Sequence, residues 1–293
     1  MIKLGIIGYN KGNGHPYSYS SIFNGFDEKF MKDCPYPSIP EYLKNHDSDI
    51  ERLNSAQVTH IWTQDREIST HIAQASKINN IVNNFEDMIP EVDAIIIARD
   101  DYEEHMNIAK PIIKAGLNVF IDKPLEFSVI KAKEILDLEK FSGQIFSSSS
   151  LAYDPRVISA RKNLKSIGDI KYIYGSAPGR WDRYAIHLID TLLMILDNKF
   201  SFKTKNIEVI DGMTLQTGML DNNAYVELRC MGGRASPLRV TIVGTNGFFD
   251  IDFKDPFYAF KNTLDAFVTS VIKKKVERSH EDIIKSISLI ELF

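Results

Sequence analysis

Four short apolar runs alternate with helix-like stretches in the first 125 residues, and this rhythm restricts the fold more than any other feature. The runs are Ile2 to Ile7, Val58 to Trp62, Val92 to Ile97 and Asn118 to Ile121. Such runs read as strands buried on both faces, which belong to parallel sheets covered by helices. A helix pattern opens near Glu67. A second is expected from about Tyr102 to Ala115, where Asp101 and Glu104 have the spacing of a reciprocal helix cap. Pro111 lies inside that helix as an expected kink, and Gly116 stands where a left-handed cap residue belongs. The stretch Asp27 to Asp47, with Pro35, Pro37 and Pro40, reads as an excursion between the first helix and the second strand. The alternation predicts a doubly wound parallel sheet, an α/β architecture, over the first part of the chain.

The rhythm then changes. After a helix expected from Val129 to Phe141, strands are expected at Gln144–Ser149, Ile170–Ser176, Ile207–Thr217, Ala224–Cys230 and Leu238–Val243. Several follow one another with no helix between them, the pattern of an open, mostly antiparallel sheet in an α+β domain. Helices are expected at Pro155–Lys165, Ala185–Leu196, Ala259–Lys274 and Glu281–Leu292. A length of 293 residues accommodates two domains, and the sequence divides them as 1–124 and 125–293. The formal net charge of −4 speaks against a nucleic-acid binder. No run reaches the roughly 18 apolar residues of a membrane span. With no leader pattern before the first strand, a cytoplasmic location is expected. Cys34 and Cys230 stand far apart, and with the seven histidines they show no metal-ligand spacing.

A glycine loop between a strand and a helix turns backbone N–H groups toward an anion. Here it carries Gly8, Gly12 and Gly14, with Asn10 between them and His15 directly after. The spacing G-x-x-x-G-x-G departs from the usual dinucleotide fingerprint. Its position after the N-terminal buried strand favours a pyrophosphate over a plain turn. Asp65, after the second strand, is suited to a ribose 2′-hydroxyl, and Arg66 beside it to a 2′-phosphate. A helix-start carboxylate beside a solvated arginine is the competing reading, so NAD and NADP both stay open.

Three stretches read together carry a family resemblance: the opening strand with its glycine loop, AGLNVFIDKPL from Ala115 to Leu125, and WDRYAIHLIDTLL from Trp181 to Leu193. They resemble the glucose–fructose oxidoreductase, inositol dehydrogenase and rhizopine catabolism (Gfo/Idh/MocA) family over most of the chain. The resemblance implies a Rossmann domain followed by a substrate-binding and oligomerisation domain. It implies NAD(H) or NADP(H), and hydride transfer at a carbinol or carbonyl carbon of a sugar, cyclitol or related compound. A homodimer or homotetramer is expected. The family's Glu-Lys-Pro stands here as Asp122-Lys123-Pro124. Lys123 is implied as a contact to both the nicotinamide ribose and the reacting oxygen. His187 is implied as the proton carrier. Asp190, one helical turn on, is expected to orient the imidazole.

Many family members carry an aspartate four residues before this histidine, where this chain has Arg183. The acid role then falls to Asp182, or Tyr184 supplies a phenolic donor, or the acid is missing. An arginine here is also suited to a substrate phosphate or carboxylate. Arg99, where a small residue is usual, either faces the cofactor or pairs with Asp100 or Asp101. Tyr17 and Tyr19 line the same crevice or merely start a helix, and His105 reads as structural. The leading expectation is an NAD(P)-dependent dehydrogenase or reductase of a sugar-like substrate. Against it stands a catalytically silent dinucleotide- or sugar-binding regulator, and a third reading is a sugar epimerase or lyase that holds its cofactor tightly.

Overall fold

A computed structural model of the chain describes residues 1–46 and 53–292. Asp47, the end of the expected excursion, lies outside them. By packing, the chain divides into two compact units. The first comprises Met1–Glu126, Ile130–Ser148 and Phe260–Ile283; the second comprises Phe127–Val129, Ser149–Ala259 and Ile284–Phe293. Segments 130–148 and 260–283, which lie beyond a cut at residue 124, thus pack in the first unit.

The first unit is built on six parallel strands: β1 (Ile2–Ile7), β2 (Ala56–Trp62), β3 (Asn80–Ile81), β4 (Ala94–Ile97), β5 (Asn118–Ile121) and β6 (Ile145–Phe146). Their order is β3-β2-β1-β4-β5-β6, the Rossmann order, with the direction of winding reversing between β1 and β4. Every residue of β4 is buried, as expected for a central parallel strand. The helices are α1 (His15–Asn24), α2 (Glu28–Met31), α3 (Ser38–Lys44), α4 (Arg66–Ala75), α5 (His105–Ala115) and α6 (Val129–Leu136). The excursion therefore contains α2 and α3. Gly116 ends α5 with φ 89°, the left-handed cap expected of it.

The expected reciprocal cap of α5 is not formed. Tyr102–Glu104 is a 3₁₀ turn, the α-helix begins at His105, and Asp101 makes no side-chain capping bond. Its carboxylate is engaged by Arg99 instead. A charge-assisted fork to a guanidinium outcompetes a neutral N–H for the same oxygens. In the core of this unit Phe120, Phe146 and Phe267 contact one another, with ring centroids 5.0 to 5.9 Å apart. Phe267 thus seals one face of the sheet with a ring from a segment far downstream of the strands.

The second unit contains α7 (Pro155–Lys162), α8 (Trp181–Ile195) and six strands: β7 (Ile170–Ala177), β8 (Phe202–Ile210), β9 (Met213–Leu220), β10 (Tyr225–Cys230), β11 (Arg239–Gly244) and β12 (Phe248–Asp252). They run in the order β12-β11-β7-β10-β9-β8. Only the β7–β10 pair is parallel, so the sheet is mixed and mostly antiparallel. The single strand expected over Ile207–Thr217 is two strands joined at Asp211-Gly212. Both turn residues have positive φ, 50° and 75°, and Asp-Gly is a favoured sequence for a two-residue hairpin of that kind. The apolar alternation of Ile207 and Val209 continues in step at Met213 and Leu215, which concealed the turn. Two further helices, α9 (Phe257–Lys273) and α10 (His280–Ile290), span the division between the units.

Candidate active site

In the first unit, the strand ends gather two linked sets of polar groups. β5 runs into Asp122 and Lys123, and both are buried. The Asp122 carboxylate accepts three hydrogen bonds. Oδ2 takes His15 Nδ1 at 2.5 Å and Asn13 Nδ2 at 3.0 Å, and Oδ1 takes the Lys123 backbone N–H at 2.9 Å. Burial alone would raise its pKa, but the His15 charge and hydrogen bond, with Lys123 beyond, hold it below the ordinary carboxylate range. An ionised carboxylate only accepts, so His15 Nδ1 carries the proton. The imidazole is further fixed by stacking on Tyr19, with centroids 4.6 Å apart, and by the edge contact of Phe260 at 5.3 Å.

The second set holds the lysine. Lys123 Nζ lies 3.2 Å from Asp100 Oδ2, while Asp100 Oδ1 accepts from Asn10 Nδ2 at 2.6 Å. The Asp100 N–H returns a bond to Asn10 Oδ1 at 3.2 Å. Burial pushes the Asp100 carboxyl upward; Lys123, Asn10 and His15 outweigh it and hold the group well below the usual range. The glycine loop is thereby tied to the end of β4 through Asn10 and to the end of β5 through Asn13 and His15. Asp100 and Asn13 were not singled out from sequence as site residues. The signal available was an aspartate at a strand end next to the lysine's strand.

The loop glycines serve different needs. A Cβ on Gly8 would lie 2.5 Å from Pro16 Cγ, so Gly8 allows α1 to approach β1. Gly12 has φ 94° and open space where a side chain would stand. A Cβ on Gly14 would lie 2.5 Å from Ile39 Cδ1 and 2.7 Å from the Tyr36 ring, so α3 and Tyr36, two residues before it, pack on the loop. Asp65 is the N-cap of α4, its Oδ1 accepting from Glu67 N at 2.8 Å and Ile68 N at 3.4 Å. Arg66 donates to Asn83 Oδ1 at 2.7 Å. Arg99 is buried and pairs with Asp101. Both ring nitrogens of buried His105 face carbonyl oxygens, Leu125 O at 3.0 Å and Arg99 O at 2.7 Å, joining the β4 end to the Lys-Pro turn.

In the second unit the helix α8 carries His187, Asp190, Tyr184, Arg183 and Asp182. His187 Nδ1 lies 2.7 Å from Ser149 Oγ. Asp190 is buried, and Oδ2 accepts from Ser149 N at 2.7 Å while Oδ1 accepts the Ser286 hydroxyl at 2.5 Å. Tyr184 packs its ring edge-on against His187 at 5.4 Å. Asp182 is paired with Arg180. Arg183 lies half-buried in the first turn of α8. Trp181 Nε1 donates to Ile290 O at 2.8 Å, fastening the start of α8 to α10. Ser149 and Ser286 were missed from sequence, where serines carry no distinguishing signal.

This arrangement was compared with known proteins. Residues 40–150 match a family model described as GFO_IDH_MocA, oxidoreductase family, NAD-binding Rossmann fold. The matched stretch is a Gfo/Idh/MocA segment. It includes Asp100, the Lys-Pro turn and Ser149, and it begins after the glycine loop. The family is thus the one the sequence resembles, and its NAD-binding Rossmann description agrees with a nicotinamide dinucleotide as the cofactor class. One curated relative, the uncharacterized oxidoreductase YhhX of Escherichia coli (strain K12), is 25% identical over 130 residues. That match covers 41% of this chain and 36% of the relative's length. Among solved structures, myo-inositol 2-dehydrogenase from Lactobacillus plantarum superposes with a TM-score of 0.73 at 17% identity, covering 99% of this chain and 95% of that one. Scyllo-inositol dehydrogenase from Lactobacillus casei, solved with bound NAD(H) and scyllo-inositol, gives 0.70 at 14% identity, with coverage of 99% and 95%. At these identities the likeness is one of fold, and it extends over the whole two-unit chain. No described helix is long and apolar enough to cross a membrane.

Proposed function

We propose that the protein is an NAD(H)-dependent oxidoreductase that moves a hydride between nicotinamide and a carbinol or carbonyl carbon of a polyol such as a sugar or cyclitol. The observation that carries this reading is the lysine of the Lys-Pro turn, held at the end of β5 within the stretch 40–150 that matches the oxidoreductase family. The first unit fits the dinucleotide. Its glycine loop stands at the point where strand order reverses, and Gly12 leaves its backbone uncovered. The His15 N–H is taken by Asn13 Oδ1 at 2.8 Å and Pro16 has none to give. The pyrophosphate would therefore rest on the amides of the loop more than on the first turn of α1. Asp65 would hold the adenosine ribose through its second oxygen. A carboxylate there disfavours a 2′-phosphate, and Arg66 is engaged with Asn83, which together favour NAD over NADP.

The bound cofactor supplies hydride acceptance and donation at the nicotinamide ring. Lys123 would place a positive charge on the reacting oxygen, and Asp100, 3.2 Å from Nζ, aims that ammonium. His187 would carry the proton that accompanies hydride transfer, with Tyr184 against its ring and Asp190 holding Ser149 beside it, and Arg183 would meet an anionic substituent of the substrate. The expected homo-oligomer would form through the open face of the second sheet, where Tyr225 and Phe248 are exposed.

The test is thermal unfolding with NAD⁺, NADH, NADP⁺ and NADPH, followed by a polyol screen read at the NADH absorbance. A ligand at about 100 times its Kd adds roughly 2.7 kcal/mol of stability. Stabilisation by the NAD pair and turnover of a polyol are expected. Lys123→Ala and His187→Ala should each lower kcat by about 100-fold or more without unfolding the chain. Binding without turnover on any polyol would favour a regulatory module, a reading that the Arg183 substitution supports.

A further inference from the structure

We propose that Ser149 is the positioning residue for His187. The inference rests on the reading of His187 as the proton carrier, and it concerns how the imidazole is held. A proton carrier works only if the ring is fixed in orientation and one nitrogen is committed, leaving the other to exchange the proton. In this chain the carboxylate that many relatives place four residues upstream is replaced by Arg183. The hydroxyl of Ser149, 2.7 Å from Nδ1, stands at the ring instead.

Three further contacts make Ser149 a fixed support. Its backbone N–H donates to Asp190 Oδ2 at 2.7 Å, and the other oxygen of that carboxylate is held by the Ser286 hydroxyl at 2.5 Å. Its Oγ accepts from the Leu151 N–H at 3.3 Å, closing the turn into the 3₁₀ segment Ser150–Tyr153. Ser149 is 0% exposed and Asp190 2%. Asp190 thus acts on the imidazole through Ser149: it fixes the backbone from which the hydroxyl reaches the ring.

The choice of a hydroxyl has a chemical consequence. A hydroxyl both donates and accepts, so it can satisfy Nδ1 whether that nitrogen bears a proton or a lone pair. A carboxylate in the same place accepts only and favours the imidazolium. Ser149 therefore holds the ring at Nδ1 through both halves of a proton-transfer cycle. The edge of Tyr184 supports the ring from a second side.

The experiment uses the full chain labelled with ¹⁵N-histidine. His187 is assigned by the loss of its signals in His187→Gln, and Ser149→Ala, Ser149→Thr and Ser286→Ala are compared with the native protein. The native ring is expected to show one dominant tautomer with a hydrogen-bonded Nδ1. Ser149→Ala should change both the tautomer ratio and the Nδ1 resonance, Ser149→Thr should restore them, and Ser286→Ala should move them part of the way. In turnover assays Ser149→Ala should lower kcat about tenfold, the range of one lost hydrogen bond, with KM changed less than about twofold. Unchanged His187 signals in a folded Ser149→Ala protein would overturn the proposal. Absence of turnover in every variant would overturn the dehydrogenase reading, and the tautomer measurement would still decide the role of Ser149.

Discussion

Removing His15 should expose how strongly the Asp122 carboxylate depends on it. Asp122 is 1% exposed, and its remaining donors after His15→Ala would be Asn13 Nδ2 and the Lys123 N–H. Breaking a buried ion pair by deleting one partner costs about 3–5 kcal/mol, because the other charge stays buried without its counter-ion. Loss of the contacts to Tyr19 and Phe260 adds about 0.5–1.5 kcal/mol per aromatic pair. A destabilisation of about 4–8 kcal/mol at pH 7 follows. The second variant, Asp122→Asn in the His15→Ala background, removes the stranded charge and should recover about 2 kcal/mol, a coupling expected of groups in direct contact. Urea denaturation of the cofactor-free protein measures all three variants. Since the folded-state pKa of Asp122 is depressed, its contribution is present above the unfolded value of about 3.9 and is lost as pH falls through the folded one. The penalty of His15→Ala should therefore shrink between pH 7 and pH 3. A loss below about 1 kcal/mol at pH 7 would refute the ion-pair account, against the 3–5 kcal/mol expected. So would a loss that stays the same in acid, which would assign the effect to packing alone.

Two other outcomes are expected. Gly14→Ala should cost about 1–3 kcal/mol, because its methyl would press on Ile39 and the Tyr36 ring. It should also weaken NAD binding in the same thermal assay; an unchanged Tm would contradict the packing of α3 on the loop. Asp100→Asn should remove the counter-charge of Lys123 and cost about 1–3 kcal/mol at neutral pH, in the range of a charged hydrogen bond. The native protein holds that stability in full above about pH 3.9 and loses it progressively as pH falls toward the depressed folded value, so the difference between the two proteins should be constant from pH 7 to about pH 5 and begin to shrink below about pH 4 in urea titrations.

The parallel sheet was legible because strands buried on both faces leave uninterrupted apolar runs such as AIII at Ala94–Ile97. Gly116 was legible because a left-handed cap leaves few alternatives. The Asp211-Gly212 hairpin was hidden because the period-two alternation of Ile207 and Val209 runs on across the turn to Met213 and Leu215. At the site, Lys123 and His187 stood out through the motifs around them. Their partners did not. Asp100 meets Lys123 across two adjacent strands, and Ser149 meets His187 across 38 positions, so neither pairing leaves a local spacing to read. Asp101 misled for a related reason: its distance to Glu104 spelled a cap, while Arg99, two residues back, offered a stronger partner.

The route of the chain between its two units sets an order on assembly. Residues 260–283 belong to the first unit and bring Phe260 against His15 and Phe267 into the aromatic core beneath β5. During synthesis the N-terminal sheet emerges early, yet that core stays incomplete until residues 260–283 have left the ribosome. Domains ordinarily fold as units from the N-terminus onward; here the nucleotide-binding half must wait for the half that follows it. A ribosome stalled before residue 260 would carry a sheet with its apolar face uncovered, a natural client for a chaperone.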